Sequence, residues 1–243
     1  MTSLHLRLQR GPDSEPGHIM PKKLHVELAS DERVSALLYP AGKPHRGEVT
    51  LILAHGAGAG QTSDFMTSFA ATLAARGLNV VTFNFLYMEQ GRRVPDASQK
   101  LEACFEAVVT AVRKRNNGPL IIGGKSMGGR IASQLASSGV EASGLLLLGY
   151  PLHPPGKPPQ MRTKHLPAIL CPMLFVQGAR DPFGTPDELR PVLAKLKGRS
   201  ELYVVEGGDH SFKVLKRAGI SQDSVYEAVF DRIELWVKQR LAA

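Results

Sequence analysis

The chain of 243 residues is 43% apolar and 21% charged, a composition that predicts a packed globular protein and excludes a disordered one. No apolar run approaches the roughly 18 residues of a membrane-spanning helix. The formal net charge of +8 arises mainly in residues 121–200, which hold 10 basic and 4 acidic residues. Because these cations form no continuous run, they do not have the pattern of a nucleic-acid-binding patch.

The N-terminal segment and the cysteines bear on where the protein resides. Residues 1–20 contain turn-forming Gly-Pro and Pro-Gly pairs and lack the apolar core of a secretory signal. We therefore expect a flexible tail over 1–20 and a single domain over 21–243. Cys104 and Cys171 form no CxxC pair, which indicates a reducing compartment and no structural zinc. We expect a cytoplasmic protein with no metal, no cofactor and no membrane association, and leave its oligomeric state open.

Predicted strands and helices alternate along the domain. Short apolar or alternating runs bounded by turn residues predict strands over residues 24–28, 34–39, 49–54, 79–85, 120–123, 144–149, 173–177 and 201–205. Apolar residues at helical spacing predict helices over residues 64–76, 97–115, 129–138, 186–197 and 221–240. This alternation predicts an α/β fold with a mostly parallel central sheet and helices on both faces. Ligands of such sheets bind beyond the carboxyl ends of the strands.

A serine lies at the end of one of these strands. The sequence GKSMG at residues 124–128 directly follows the predicted strand 120–123 and precedes a helix. A serine held on a sharp strand-to-helix turn projects its hydroxyl above the sheet, and glycines two residues to either side let strand and helix pass closely. The context predicts a nucleophile elbow with Ser126 as the nucleophile.

Two other glycine-loop motifs fit the sequence less well. A phosphate-binding GxxxxGK[ST] loop ending at Ser126 would need glycine where Pro119 stands. A dinucleotide-binding GxGxxG motif beginning at Gly56 would need glycine in place of Gln61. The following strand also ends in Phe83-Asn84-Phe85, without the acidic residue that would bind a ribose.

A serine nucleophile needs a base, and the base needs an orienting acid. Asp181 lies four residues after the predicted strand 173–177, and His210 lies five residues after the strand 201–205. The chain order Ser126, Asp181, His210 is that of α/β hydrolases. Asp209 is a poorer acid because adjacent side chains cannot both face one imidazole, and Asp187 fits the first turn of a helix.

The oxyanion of the reaction needs two hydrogen-bond donors. The amide that follows the nucleophile belongs to Met127, and the loop after the strand 49–54 supplies a second amide from Ala57 or Gly56. His55 is expected to brace this loop. Substrate contacts are expected from the side chains of Tyr87, Lys125, His153, Arg162 and Phe183.

Five motifs resemble the α/β-hydrolase superfamily, within reach of dienelactone-hydrolase-like proteins. They are AHGAG at 54–58, GGKSMGGR at 123–130, GYPLHPPGKP at 149–158, QGARDPFG at 177–184 and GGDHSF at 207–212. More closely, they resemble the branch that contains testis-expressed protein thirty and the third subunit of the NSL chromatin complex. The resemblance implies a Ser/Asp/His hydrolase fold, with those roles at Ser126, Asp181 and His210. Dienelactone hydrolases proper carry cysteine at the elbow, so their reaction is not transferred.

These observations predict a serine hydrolase that cleaves an ester, thioester or amide of a small molecule through an acyl-enzyme. The segment between the strands at 144–149 and 173–177 is too short for a lid domain, so we expect an open site covered by the loop 151–159. The alternative is a non-catalytic protein that keeps the fold for binding, as the NSL subunit serves in an assembly.

The positions of the cations predict that the substrate is anionic. Seven basic residues fall in loops at the carboxyl edge of the sheet, namely Arg92, Arg93, Lys125, Lys157, Arg162, Lys164 and Arg180. If they converge on the site, they attract a substrate of opposite charge. Ion pairs with Glu89, Asp96 or Asp187 would instead neutralise some of them.

Overall fold

The computed structural model describes residues 19–29, 31–42, 49–196 and 199–241. Residues 1–18 of the expected tail lie outside the described residues, as does the last residue of the helix predicted over 186–197. All statements about the structure below concern the described residues.

The centre of the protein is an eight-stranded sheet. Its strands are β1 (Lys22–Glu27), β2 (Arg33–Tyr39), β3 (Thr50–Ala54), β4 (Asn79–Phe83), β5 (Leu120–Lys125), β6 (Gly144–Leu148), β7 (Met173–Gly178) and β8 (Ser200–Val205). They lie side by side in the order β1-β2-β4-β3-β5-β6-β7-β8. Only the β1–β2 and β2–β4 pairs are antiparallel, and the five remaining pairs are parallel. The predicted mostly parallel sheet is confirmed.

Helices cover the sheet on both faces. They are α1 (Asp64–Ala75), α2 (Leu86–Glu89), α3 (Ser98–Arg113), α4 (Met127–Ser137), α5 (Pro186–Leu193) and α6 (Gln222–Leu241), with single 3₁₀ turns at Leu166–Ala168, Ala194–Leu196 and Lys216–Ala218. The helices α1 and α6 share one apolar core with Leu51 and Leu53, whereas α3, α4 and α5 share the other with Ile52 and Ala54. Alternate residues of β3 therefore face opposite cores, as the pleat of a strand requires.

Among the boundaries that differ from those that the sequence predicts, three lie beside the serine turn or the loop that packs on it. The strand predicted over 79–85 ends at Phe83, because the Phe85 amide donates to His55 Nε2 (3.1 Å) and the chain turns into α2. The strand predicted over 120–123 continues to Lys125, and α4 begins two residues earlier than predicted, at Met127. Strand and helix are thus separated by Ser126 alone. Within the described residues, no helix is long and apolar enough to cross a membrane.

Candidate active site

The turn from β5 into α4 holds Ser126 in a strained conformation. Its φ of 51° and ψ of −113° lie outside the regions that non-glycine residues normally adopt. The backbone is fixed at both sides, since the Ser126 amide donates to the Leu148 carbonyl (2.9 Å) and its carbonyl accepts from the Arg130 amide (3.1 Å). This geometry is that of a nucleophile elbow, which turns the serine hydroxyl toward the carboxyl edge of the sheet.

The elbow packs directly against the end of β3. A Cβ atom placed on Gly124 or on Gly128 would lie 2.4 Å from the carbonyl oxygen of Ala54, a distance that no side chain can occupy. The same approach brings the next loop to the serine, because a Cβ on Gly56 would lie 3.6 Å from Ser126 Cβ. The glycines of the GKSMG motif are therefore required by main-chain contacts.

Asp181 and His210 form a hydrogen-bonded pair. His210 Nδ1 donates to Asp181 Oδ2 at 2.7 Å, and the Asp181 side chain is completely buried. The carboxylate also accepts from Gln177 Nε2 (2.8 Å) and from the Phe183 amide (2.9 Å). A buried carboxylate is costly unless it is hydrogen-bonded, and these three donors satisfy it while fixing the orientation of the imidazole. The Phe183 ring packs on the imidazole with centroids 4.3 Å apart.

The two rejected acids lie elsewhere, as expected. Asp209 accepts from the amides of Ser211 (2.8 Å) and Lys213 (2.9 Å), so its carboxylate shapes the loop that carries His210. Asp187 is exposed in the first turn of α5.

Ser126 and His210 line the same cavity, which has a volume of about 510 Å³ and opens to solvent at the carboxyl edge of the sheet. Apolar side chains form much of its wall, namely Phe65, Met66, Leu101, Met127 and Phe183. Of the proline-rich loop expected to cover the site, only Pro151 is part of the lining. Residues 149–172 contain one 3₁₀ turn and no longer helix, so this segment forms no lid domain over the site.

His55 orients a backbone amide beside Ser126. Its Nδ1 lies 2.7 Å from the Gly56 carbonyl, and its Nε2 accepts from the Phe85 amide at 3.1 Å. These partners assign a neutral imidazole that donates from Nδ1, and burial lowers the pKa of His55. In a trans peptide the Ala57 N–H points away from the Gly56 carbonyl that His55 holds. The prediction that His55 braces this loop is confirmed, and both Ala57 and Met127 line the cavity.

Lys125 is a buried cation next to the serine. Its side chain is 8% exposed, and its Nζ has no hydrogen-bond partner within the described part of the chain. The ammonium lies 5.8 Å from the centre of the Phe65 ring. Burial lowers the pKa of Lys125 from 10.5 to about 8, against an opposing effect of the Asp181 and Asp209 carboxylates.

Three of the five expected substrate-contacting residues line the cavity: Lys125, Arg162 and Phe183. The other two are buried and brace neighbouring loops. The Tyr87 hydroxyl donates to the Ala57 carbonyl (3.1 Å), and His153 contacts Glu188 Oε1 (3.2 Å) through Nε2. Because these polar groups are satisfied inside the protein, the placement of Tyr87 and His153 at the substrate is corrected.

The expected convergence of seven cations is also corrected. Of these seven, only Lys125 and Arg162 line the cavity. Arg92 pairs with Asp96 at 2.6 Å, and Arg180 donates from Nε to the Gly207 carbonyl at 2.8 Å. The other three are exposed and do not line the cavity: Arg93, Lys157 and Lys164.

Two residues of the site were missed from the sequence. Gln177 is a polar residue at the end of the otherwise apolar strand β7. A polar residue in this position could have indicated its contact with Asp181. Arg130 lies in the first turns of α4 and lines the cavity, which its helical position alone did not indicate. Within the described ranges, no three His, Cys, Asp or Glu side chains are grouped to hold a metal ion.

The parallel sheet, the strained serine between β5 and α4, and the Asp–His pair after β7 and β8 together define an α/β hydrolase. A family model described as an alpha/beta hydrolase domain matches residues 47–238, and the chain belongs to this family.

Solved structures share the fold at low sequence identity. A lid-less α/β serine hydrolase from Xanthomonas campestris aligns with a TM-score of 0.73 and 19% identity over 92% of this chain and 96% of its own. A Pyrococcus furiosus esterase gives a TM-score of 0.73 and 16% identity over 92% of both chains. An α/β serine hydrolase homologue from Coxiella burnetii gives a TM-score of 0.69 and 18% identity over 87% of this chain and 96% of its own.

The contact between Gly128 and Ala54 predicts a large effect of a single methyl group. Gly128→Ala should lower the free energy of unfolding by about 2 kcal/mol or more, since the added Cβ meets backbone that cannot rotate away. Gly58→Ala is the matched control, because a Cβ there meets no atom within 4 Å. Urea unfolding of both variants measures the difference, and equal stabilities would contradict the packing described.

The burial of Lys125 predicts a pH-dependent stability. Folding disfavours its protonated form, so wild-type stability should rise as the pH increases from about 8 toward 10.5. Lys125→Met should remove the cost of burying the charge, raising the free energy of unfolding at pH 7 on the order of 2 kcal/mol. The difference in the free energy of unfolding between Lys125→Met and wild type should be smaller at pH 10. Urea unfolding at both pH values tests this, with the exposed Lys164→Met as control; a destabilised Lys125→Met at pH 7 would contradict it.

Proposed function

We propose that this protein is a serine hydrolase that cleaves an ester, thioester or amide of a small molecule through an acyl-enzyme intermediate. The observation that carries the proposal is the 2.7 Å hydrogen bond between His210 and the buried Asp181, beside a cavity that also contains the strained Ser126. A nucleophile, an acid and a base in this chain order and at this sheet edge form a catalytic triad.

In the proposed reaction, Ser126 Oγ attacks the substrate carbonyl carbon while its proton passes to His210 Nε2. The negative charge that develops on the carbonyl oxygen is stabilised by the amides of Met127 and Ala57. The Met127 amide is available because it belongs to the first residue of α4 and has no acceptor within the helix. His210 returns the proton to the leaving group as its bond to the carbonyl carbon breaks.

The second half of the reaction repeats these steps with water. His210 takes a proton from water, whose oxygen attacks the acyl carbon, and the bond to Ser126 Oγ breaks as the serine regains a proton. The products are a carboxylic acid and a free enzyme. Asp181 orients the imidazole and stabilises its protonated form through both half-reactions.

Two further assignments belong to this proposal. We place the chain in the branch of testis-expressed protein thirty and the third NSL subunit, on the motifs at 123–130, 149–158 and 177–184. We also propose that it acts in the cytoplasm on a substrate that carries negative charge, without a cofactor. Support for the charge comes from Lys125 and Arg162 at the cavity.

Ser126→Ala should abolish labelling by a fluorophosphonate probe and reduce hydrolysis of p-nitrophenyl acetate by roughly 10³-fold or more, because the attacking oxygen is removed. Ser63→Ala is the matched control, since Ser63 lines the same cavity and its side chain caps no helix amide. Circular dichroism and thermal unfolding verify that both variants fold. Wild-type protein that is neither labelled nor active would instead favour a non-catalytic binding role.

Activity should be lower in acid, because only neutral imidazole accepts the proton of Ser126. The measurement is kcat/KM for an ester that does not itself ionise. Since Lys125 titrates near pH 8, the same profile is recorded for Lys125→Met, in which the lower activity in acid should persist. A flat profile in both proteins would exclude His210 as the base.

A further inference from the structure

Two arginines stand together in the wall of the cavity beside Ser126. Arg130 projects from α4, one turn after the serine, and Arg162 comes from the loop between β6 and β7. Both line the cavity. Burial lowers the pKa of Arg130, and the positive charge of Arg162 lowers it further. The two charges therefore lie close enough to interact.

The fold holds this pair in place. The main chain of Arg162 is anchored twice, as its amide donates to the Leu152 carbonyl (2.8 Å) and its carbonyl accepts from the buried Tyr150 hydroxyl (2.7 Å). The Arg130 guanidinium donates to Gln134 Oε1 (3.1 Å), one turn along α4. Both side chains are partly buried, which limits the water that would otherwise screen their repulsion.

The neighbouring groups compensate the two positive charges only in part, since the Glu102 carboxylate lies near enough to raise the pKa of Arg130 against the effects of burial and of Arg162. No carboxylate in the described part of the chain forms an ion pair with either guanidinium, and the side chain of Arg162 makes no hydrogen bond there. Asp96, which also lines the cavity, is paired with Arg92. His165, near Arg130, is neutral at physiological pH because burial and the charge of Arg130 lower its pKa to about 4.

Like charges held together in a partly buried wall are unfavourable until an anion lies between them. A guanidinium presents its N–H donors in a planar fork that matches a carboxylate or phosphoryl group. Other arginines among the described residues already pair with carboxylates of this chain, as Arg76 does with Glu227 and Asp231. Within the described residues neither Arg130 nor Arg162 forms such an ion pair, and both line the cavity that a substrate would fill.

We propose that Arg130 and Arg162 form a subsite that binds an oxyanion, a carboxylate or phosphoryl group, of the substrate whose acyl bond Ser126 cleaves. This inference rests on the proposed function and makes the substrate an acidic ester, thioester or amide. The pair determines specificity, and the triad supplies the chemistry.

Matched pairs of esters that differ only in charge test the subsite. p-Nitrophenyl hemisuccinate carries a carboxylate on the acyl side, and its methyl ester is the neutral counterpart. 4-Acetoxybenzoate and methyl 4-acetoxybenzoate place the same difference on the leaving group. We expect one of the two pairs to show a preference for the anion of about tenfold or more in kcat/KM at low salt, which decreases as ionic strength rises.

The arginine variants connect this preference to the pair. In Arg162→Gln and Arg130→Gln the ratio of kcat/KM for the acid to that for its methyl ester should fall about tenfold. Arg162→Lys should retain only part of the preference for the acid, because an ammonium lacks the planar fork. Lys164→Gln is the control: it removes the same charge two residues from Arg162, is exposed and does not line the cavity. Thermal unfolding verifies that each variant is folded.

A binding measurement separates this proposal from the proposed function. Ser126→Ala is titrated calorimetrically with succinate and with inorganic phosphate, with and without Arg162→Gln. Weaker binding of either anion in the double variant supports the subsite even where wild-type protein shows no hydrolysis, and the anion affected identifies the oxyanion. The proposal is overturned if neither ester pair shows a charge preference at low salt, or if Lys164→Gln changes the ratio or the binding as much as Arg162→Gln.

Discussion

The close approach of the β5–α4 turn to the end of β3 is the constraint on which the site depends. With hydrogen atoms at Gly124 and Gly128, the Ala54 carbonyl can pack against the turn at a distance that any Cβ would block. This contact lets Ser126 hold an unfavourable φ and ψ, because the main chain on either side is fixed by packing. It also brings the loop after β3 close to the serine, since a Cβ on Gly56 would lie in van der Waals contact with Ser126. The packing of the sheet and the geometry of the site therefore depend on the same contact.

A second requirement is the satisfaction of polar groups buried behind the site. The Gln177 side chain donates to Asp181 Oδ2 and to the Gly184 carbonyl, and its Oε1 accepts from the Tyr150 amide. Leaving any of these groups unpaired in a low-dielectric interior would cost stability. The network thus ties the loops after β6, β7 and β8 together, and the imidazole of His210 takes its orientation from this network.

Unlike the buried hydrogen-bonding groups, the cations around the cavity are not all paired. Among the described residues, Lys125 Nζ has no hydrogen-bond partner beside the serine, whereas Arg92 pairs with Asp96 and Arg180 donates to a main-chain carbonyl. The net charge of the chain therefore overstates how many cations a substrate meets. What reaches the cavity is one buried ammonium and two partly buried guanidiniums. Low water content strengthens the interaction of such groups with an anion.

The sequence by itself determined the order of the strands and helices, the mostly parallel sheet, and the loops that carry Ser126, Asp181 and His210. These depend on local periodicity and on the glycines beside the serine, and both can be recognised in the amino-acid sequence. Tertiary structure decided that Tyr87 and His153 brace loops, that Gln177 supports Asp181, and that Arg130 meets Arg162. The direction in which a side chain points depends on contacts between residues far apart in sequence, which periodicity does not encode.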